Sequence, residues 1–388
     1  MSSRIPFALP DISEEELDEV TAALRSGWVT TGPRVHRFER EFADAVGVRH
    51  AIAVNSATSG LHLALEAAGV GAGDAVIVPS VTFAACGEVA RYLGAHPALA
   101  DIDPATGLAT AATFAAGARK AERQGWRPRA IMPVHFAGQA YDLDEIAALA
   151  GDLGAVVVED AAHAFPTTYR GRSIGSIGDF TVFSFYATKT LTTGEGGMVT
   201  TDDETAAARM KVMRLHGIST DAWDRYNTDR PAWQYDIVAP GFKYNLTDVA
   251  AAMGLRQLAR ADSMWARRNE IARRYIDAFA GSPLRPLDVV RPSDRHAWHL
   301  FVVRLGEDAG VDRDTLIERM LAAGVGASVH FIPLHRMRYY RDLYDLQIED
   351  FPGAEEYFAS CVSLPIYSAL TDDQVARVID VSLGAVGD

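Results

Sequence analysis

Residues 179–201 read DFTVFSFYATKTLTTGEGGMVTT. A β-branched and aromatic run ends at Phe185, a short polar loop carries Lys189, and the GEGG turn returns the chain into a second strand, GMVTT. A lysine facing inward just beyond a buried strand can condense with an aldehyde and later shuttle protons as its free amine. The chain has only four lysines. Lys120 lies in the charged stretch ARKAERQGWRPR and Lys211 on a helix among RMKVMRLHG, both read as solvated. Lys243 belongs to a different segment, which leaves Lys189 as the lysine placed for chemistry. Ser184, at the strand end, can donate to an anionic group.

Working outward, six more short apolar runs alternate with helical stretches or lie beside this one: AIAV (51–54), AVIV (75–78), HPALADI (96–102), RAIMPVH (129–135), AVVVED (155–160) and GMVTT itself (197–201). With FTVFSF (180–185) they predict about seven strands in one mixed, mostly parallel sheet with crossover helices. A single long helix is expected over 246–280, then a smaller α+β unit with a strand in HAWHLFVVRL, a helix near 313–323 and a strand near GASVHF. The expected division is a large domain over 1–258 and a small C-terminal domain over 259–388.

Composition narrows the function. A net charge of −14 opposes a nucleic-acid partner, which needs clustered Lys and Arg to displace counterions. No apolar run is long enough to cross a bilayer, and the first residues lack the basic-then-apolar pattern of a signal segment, so a cytoplasmic protein is expected. The two cysteines, Cys86 and Cys361, are far apart and outside any CxxC pattern; they read as plain buried thiols, with neither a disulfide nor a metal site expected.

Ligands sit at strand ends in open parallel sheets. NSATSGLHLAL (55–65) places small hydroxyl residues and Gly60 where a helix begins near Ser59, leaving N–H groups free for phosphate; taken alone, an ordinary Ser/Thr cap is the stronger reading. Glu159 and Asp160 close a buried strand, and a carboxylate there can pair with a protonated pyridine nitrogen or serve as a helix cap or salt-bridge partner. Phe83, in VPSVTFAA (78–85), is either a stacking ring or a core aromatic.

Together these segments resemble the DegT/DnrJ/EryC1/StrS family of sugar aminotransferases, a branch of fold type I pyridoxal-phosphate enzymes. The resemblance runs from SGWVTTGPRVHRFEREFA (26–43) through NSATSGLHLAL, PVHFAG (133–138), EDAAHA (159–164), residues 175–197 and GFKYNLTDVAAAMG (241–254) to HAWHLFVVRL and VHFIPLH. It implies pyridoxal 5′-phosphate held as an imine on Lys189, with Asp160 on the pyridine nitrogen. It further implies Ala57, Thr58 and Ser184 on the phosphate and Phe83 and His163 near the ring, His163 standing where many relatives have Gln. Asn245 would reach across a homodimer interface to the partner's phosphate, with Lys243 helping to bind a substrate diphosphate. Tyr186, His330 and His335 are substrate-site candidates, each histidine reading equally as a satisfied structural residue.

The resemblance also implies substrates: L-glutamate, released as 2-oxoglutarate, and a UDP- or dTDP-linked keto sugar. Amination at C-4 is expected, because relatives acting at C-3 usually carry an Arg-containing segment after the equivalent Asn and here Leu246, Thr247 and Asp248 follow. Pro166, where Gly is common, and Tyr186, where His is frequent, depart from the pattern and bear on the substrate pocket. The alternatives are amination at C-3 or a non-catalytic sensor that keeps the fold. The family's dehydratases, which have His in place of the lysine, are opposed by Lys189.

Overall fold

The computed structural model describes residues 4–219 and 235–387. Two helices lead in, α1 (Glu14–Arg25) and α2 (Pro33–Val46). Ser13 and Glu16 form a capping box on α1, and Pro33 opens α2, where its missing N–H costs nothing. Val35, Phe38, Phe42 and Val46 recur at helical spacing and are the buried face of α2.

The strands then alternate with helices: β1 (His50–Val54), α3 (Ala57–Ala67), β2 (Asp74–Pro79), α4 (Ala84–Tyr92), β3 (His96–Ala100), α5 (Ala111–Arg123), β4 (Arg127–Ile131), α6 (Leu143–Leu153) and β5 (Val156–Asp160). A small hairpin, β6 (Thr168–Tyr169) and β7 (Arg172–Ser173), precedes β8 (Phe180–Ser184), β9 (Gly197–Thr201) and α7 (Glu204–Met213). The seven-stranded sheet has the order β1-β9-β8-β5-β4-β2-β3. Only β9 is reversed, antiparallel to both neighbours; β8-β5, β5-β4, β4-β2 and β2-β3 are parallel. All seven expected strands are present, and β2 is buried throughout, as the uninterrupted apolar run required. Chain order reverses between β2 and β4, the place where open α/β sheets form a crevice beyond their carboxyl ends.

Three local expectations are corrected. Helix α3 begins at Ala57 rather than near Ser59, because the Ser56 side chain already accepts the Ser59 N–H and caps the helix. The long helix over 246–280 is two, α8 (Asp248–Ala259) and α9 (Ala261–Phe279), broken at Arg260 (φ −100°, ψ 0°). No Pro or Gly marks that break; Arg260 is drawn to Glu16 and Asp11, a contact that local pattern does not reveal. The strand expected near GASVHF does not form. Residues there make only single bridges, Val325 to Ile5 and Ser328 to Ser363, before a cis His330–Phe331 peptide.

The C-terminal part adds β10 (Leu284–Pro286), β11 (Phe301–Leu305), α10 (Arg313–Ala322), α11 (Arg338–Tyr344), α12 (Pro352–Ser360), β12 (Cys361–Leu364) and α13 (Asp372–Val386), with β10-β11-β12 forming an antiparallel sheet. Two apolar clusters result. One fills the large sheet and also takes Leu334, Tyr340, Phe351 and Tyr357; the other joins Ile5 to Ile271, Tyr275, Phe301, Leu316 and Val378. Among the described residues no helix is long and apolar enough to cross a membrane, and no group of His, Cys, Asp and Glu is arranged to hold a metal.

Candidate active site

A cavity of about 470 Å³ opens at the carboxyl ends of the parallel strands. The β1–α3 junction contributes Ala57 and Thr58, the β2–α4 junction Thr82 and Phe83, and the end of β5 Asp160 and His163. The β8–β9 connection contributes Tyr186, Thr188, Lys189 and Glu195. His299, His330 and Phe331 close it from the C-terminal part.

At the helix end, Ala57 and Thr58 are the first two residues of α3, so their N–H groups have no intrahelical acceptor and point out of the positive end of the dipole. Ser56 is spent on the Ser59 N–H and leaves those two free for an anion. Strand β9 is pressed against this junction. A Cβ on Gly197 would lie 2.8 Å from the Phe183 carbonyl and 2.9 Å from the Ala57 nitrogen, so any side chain there would force these backbone atoms apart.

The Asp160 carboxylate is 5% exposed and well organised: Oδ1 accepts the Ala162 N–H at 2.9 Å and Oδ2 the Cys86 thiol at 3.0 Å. Across the cavity, burial lowers the Lys189 amine to about 8, while the negative charge of Asp160 pulls it back up. Burial first, and then the Lys189 charge with that of His330, holds the His163 imidazole well below its usual range. The same cause brings His330 to about 4, with Lys189 adding to it, and keeps His299 neutral, with His163 and Lys189 adding to it. Three neutral imidazoles therefore line one side. The rings of His163 and His299 are 4.3 Å apart, and the Nδ1 atoms of both are buried without a hydrogen-bond partner. Buried orphan polar atoms of this kind call for a ligand that supplies the missing bonds.

This donor set fits a flat, anionic, aldehyde-bearing cofactor. Free N–H groups at a helix end suit a phosphate, Lys189 suits the aldehyde carbon, a buried carboxylate suits a ring nitrogen, and Phe83, 61% exposed at the mouth, offers an aromatic face.

The structure gathers Ala57, Thr58, Phe83, Asp160, His163, Tyr186, Lys189 and His330 into one cavity. Other sequence candidates lie outside its lining. Ser184 sits opposite Gly197 at the end of β8, its Oγ accepting the Tyr186 N–H at 3.4 Å. Asn245 bridges Val54 through its backbone and donates from its amide to Thr31 Oγ1 at 2.7 Å. Lys243 is exposed. His335 does not reach a substrate space: it is 1% exposed, joined to Glu355 at 2.7 Å and stacked on Phe351, a structural histidine. Sequence reasoning missed Thr82 and Glu195, left His299 open between a substrate-site residue and a structural histidine, and read Cys86 as a plain thiol. The only sequence signals for them were adjacency to Phe83, the acidic residue inside GEGG, and membership of the HAWHLF segment.

Comparison with known proteins places this geometry. The family model described as the DegT/DnrJ/EryC1/StrS aminotransferase family matches residues 10–382. The chain is 47% identical over 378 residues to the spore coat polysaccharide biosynthesis protein SpsC of Bacillus subtilis, covering 97% of this chain and 95% of that one. Among solved structures it is similar to the putative sugar aminotransferase Spr1654 of Streptococcus pneumoniae in its PMP form (33% identity, TM-score 0.90, covering 98% and 99% of the two chains). It is also similar to S. venezuelae DesV in complex with a ketimine intermediate (31% identity, TM-score 0.86, covering all of both chains). With the family model spanning nearly the whole chain and the lysine, carboxylate and helix end in place, the protein belongs to the DegT/DnrJ/EryC1/StrS aminotransferase family, enzymes of the pyridoxal-phosphate aminotransferase fold that use this cofactor to aminate sugars.

Proposed function

We propose that this chain is a cytoplasmic, homodimeric enzyme that moves the amino group of L-glutamate to C-4 of a nucleotide-diphosphate-linked 4-keto-6-deoxy sugar. Its product would be a 4-amino sugar nucleotide for polysaccharide or natural-product biosynthesis. The observation that carries the reading is one cavity holding both an amine that loses its proton near pH 8 and a buried, doubly hydrogen-bonded carboxylate. The roles follow from position: Lys189 as the imine lysine, Asp160 on the pyridine nitrogen, and Ala57 and Thr58 on the phosphate with Ser184 beside them. Phe83 and His163 lie against the ring, and Tyr186 and His330 against the sugar.

When bound, pyridoxal phosphate supplies an electrophilic carbon and a ring that withdraws electrons from the carbon being deprotonated. The Lys189 Nζ, as a free amine, takes the proton from the donor's α-carbon and returns one on the reverse course. Asp160, its two oxygens oriented by the Ala162 N–H and the Cys86 thiol, would hold a proton at the ring nitrogen. The imidazoles of His163, His299 and His330, kept neutral, can each accept from or donate to a sugar hydroxyl without charging.

Several observations support the finer points. SpsC is named for polysaccharide biosynthesis, and the similar Helicobacter pylori PseC is an aminotransferase involved in the biosynthesis of pseudoaminic acid. Leu246, Thr247 and Asp248, where C-3 enzymes carry an Arg segment, are occupied locally: Thr31 donates to the Leu246 carbonyl, Thr247 caps α8, and Asp248 accepts the Arg34 and Val35 N–H groups. Lys189 is the only Lys or Arg among the described residues lining the cavity, so a cation for a diphosphate must arrive from elsewhere, and the partner subunit's Lys243 would supply it. Phe83 and Tyr186 stand 61% and 47% exposed at the mouth in the single chain, which favours a second copy against that side. The division into 1–258 and 259–388 has the support of the two apolar clusters, although residues around 334–361 pack with the first.

Running the enzyme in reverse on a panel of nucleotide-linked 3-amino and 4-amino sugars tests the position, with consumption of the 4-amino compounds expected. Turnover of only a 3-amino sugar would move the reaction to C-3. Lys189→Ala should abolish transamination and the near-visible absorption of the imine, and an active, yellow variant would remove the lysine assignment.

A further inference from the structure

Asp160 is not held by backbone alone. Cys86, on the first turn of α4, is fully buried and directs its thiol proton to Asp160 Oδ2 at 3.0 Å, while Thr82 Oγ1 donates to the Cys86 sulfur at 3.1 Å. The two donors come from the β2–α4 junction and the acceptor from the end of β5, so the contact crosses the crevice where chain order reverses. The helix carrying Cys86 is fixed in place: a Cβ on the next residue, Gly87, would lie 2.7 Å from the Tyr340 hydroxyl, so α4 lies tightly against α11. Burial, and then the neighbouring Asp160 charge, pushes the Cys86 thiol well above its usual range, so it stays protonated and can only donate.

We propose that Cys86 is a positioning residue for the enzyme's reaction, its thiol, backed by the Thr82 hydroxyl, orienting the Asp160 carboxylate and setting how strongly that carboxylate holds a proton at the cofactor's ring nitrogen. The inference rests on the assignment of Asp160 given above. Its physical basis is that each hydrogen bond donated to a carboxylate spreads its charge and lowers its basicity. Oδ1 accepts the Ala162 N–H and Oδ2 the thiol, so both oxygens of Asp160 have a donor in place, an arrangement that favours the proton on the ring side. Loss of the thiol makes the carboxylate more basic and draws the proton toward it. With the cofactor bound, its ring would then carry less positive charge, and an imine on Lys189 would be easier to protonate. The other titratable groups facing this space are Lys189, His163, His299, His330, Tyr186 and Glu195, and none of them is bonded to Cys86.

The test is a pH titration of the near-visible absorption band of full-length enzyme loaded with pyridoxal phosphate, read for the wild type, Cys86→Ala, Cys86→Val, Cys86→Ser and Asp160→Asn. Val is somewhat larger than Cys and removes the donor without leaving a hole, so it serves if the Ala variant folds poorly. Removing one hydrogen bond to a charged group should raise the midpoint by about 0.5–1 pH unit in the Ala and Val variants. The Ser variant, whose hydroxyl can donate, should return toward the wild type, a rescue that a merely space-filling role would not produce. Unchanged midpoints in Ala and Val, with a shifted midpoint in Asp160→Asn, would overturn the role of Cys86 and leave Asp160 standing. An Asp160→Asn midpoint equal to the wild type would instead overturn the assignment of Asp160, and the role of Cys86 with it.

Discussion

The Arg214 guanidinium and the Glu39 carboxylate form a buried ion pair behind strand β1. Both also bond the backbone of Ala53, Arg214 donating to its carbonyl at 2.9 Å and Glu39 accepting its N–H at 2.9 Å. The pair thereby ties α2 and the end of α7 to the strand that leads into the phosphate-type helix end.

Burial alone would raise Glu39, but the charge of Arg214 and the bonds from His36, Ala53 and Arg214 outweigh it and hold the carboxyl at about 2, against 4.5 for a free one. A depressed folded-state value means stability that is fully present above pH 4.5 and lost as pH falls through about 2. That shift corresponds to about 3 kcal/mol. Glu39→Gln should flatten the acid limb of a stability–pH curve measured by urea unfolding and, because the charge opposite Arg214 is gone, should cost about 3–5 kcal/mol at neutral pH. A variant that unfolds at the wild-type urea midpoint would show the pair to be dispensable.

Lys189 should react as a free amine. With its proton lost near pH 8, the initial rate at which apoenzyme takes up pyridoxal phosphate into the absorbing imine should climb about tenfold per pH unit below that value and level off above it. Stopped-flow absorbance checks this. A profile still climbing at pH 10, as an ordinary lysine would give, contradicts the lowered value.

Gly197→Ala probes the close approach of β9 to α3. The added methyl would meet the Phe183 carbonyl and the Ala57 nitrogen at 2.8 and 2.9 Å, both backbone atoms that cannot swing away. The expected result is a loss of about 1–3 kcal/mol in stability, typical of overpacking, together with weaker retention of the cofactor in dialysis. Retention equal to the wild type would mean that the helix end tolerates displacement.

The shared-site proposal for Asn245 predicts complementation. Mixing Asn245→Ala subunits with Lys189→Ala subunits should yield heterodimers in which one site has both residues intact, so activity should exceed that of either parent. No gain on mixing, in subunits demonstrated to exchange, would confine Asn245 to its own chain, where its amide already meets Thr31.

The sheet was legible because each strand is a compact apolar run bounded by polar turns, and the Lys189 loop because it lies between two such runs. Phe83 and Asp160 were legible as strand-end residues once the sheet was read as parallel, whereas Ala57 and Thr58 came from the family resemblance, their junction on its own reading as an ordinary Ser/Thr cap. What escaped depends on partners distant in sequence. Arg260 interrupts a helix that periodicity continues, because Glu16 and Asp11 wait more than two hundred residues upstream. Residues 326–331 alternate like a strand yet find only a single bridge, at Ser328. Cys86 carried no local sign of its bond to Asp160, and nothing in the sequence decided between the two readings of His335, which Glu355 and Phe351 enclose.

Ile5 has a consequence for how the second core forms. Its N–H bonds the Gly324 carbonyl, its carbonyl takes the Gly326 N–H, and its side chain enters the same cluster as Val378 and Val386. These partners lie far from it along the chain, so the cluster closes only when distant segments meet, at the entropic cost of a long loop. The large sheet, most of whose strands follow one another with short crossovers, needs no closure of that length and can collapse ahead of it.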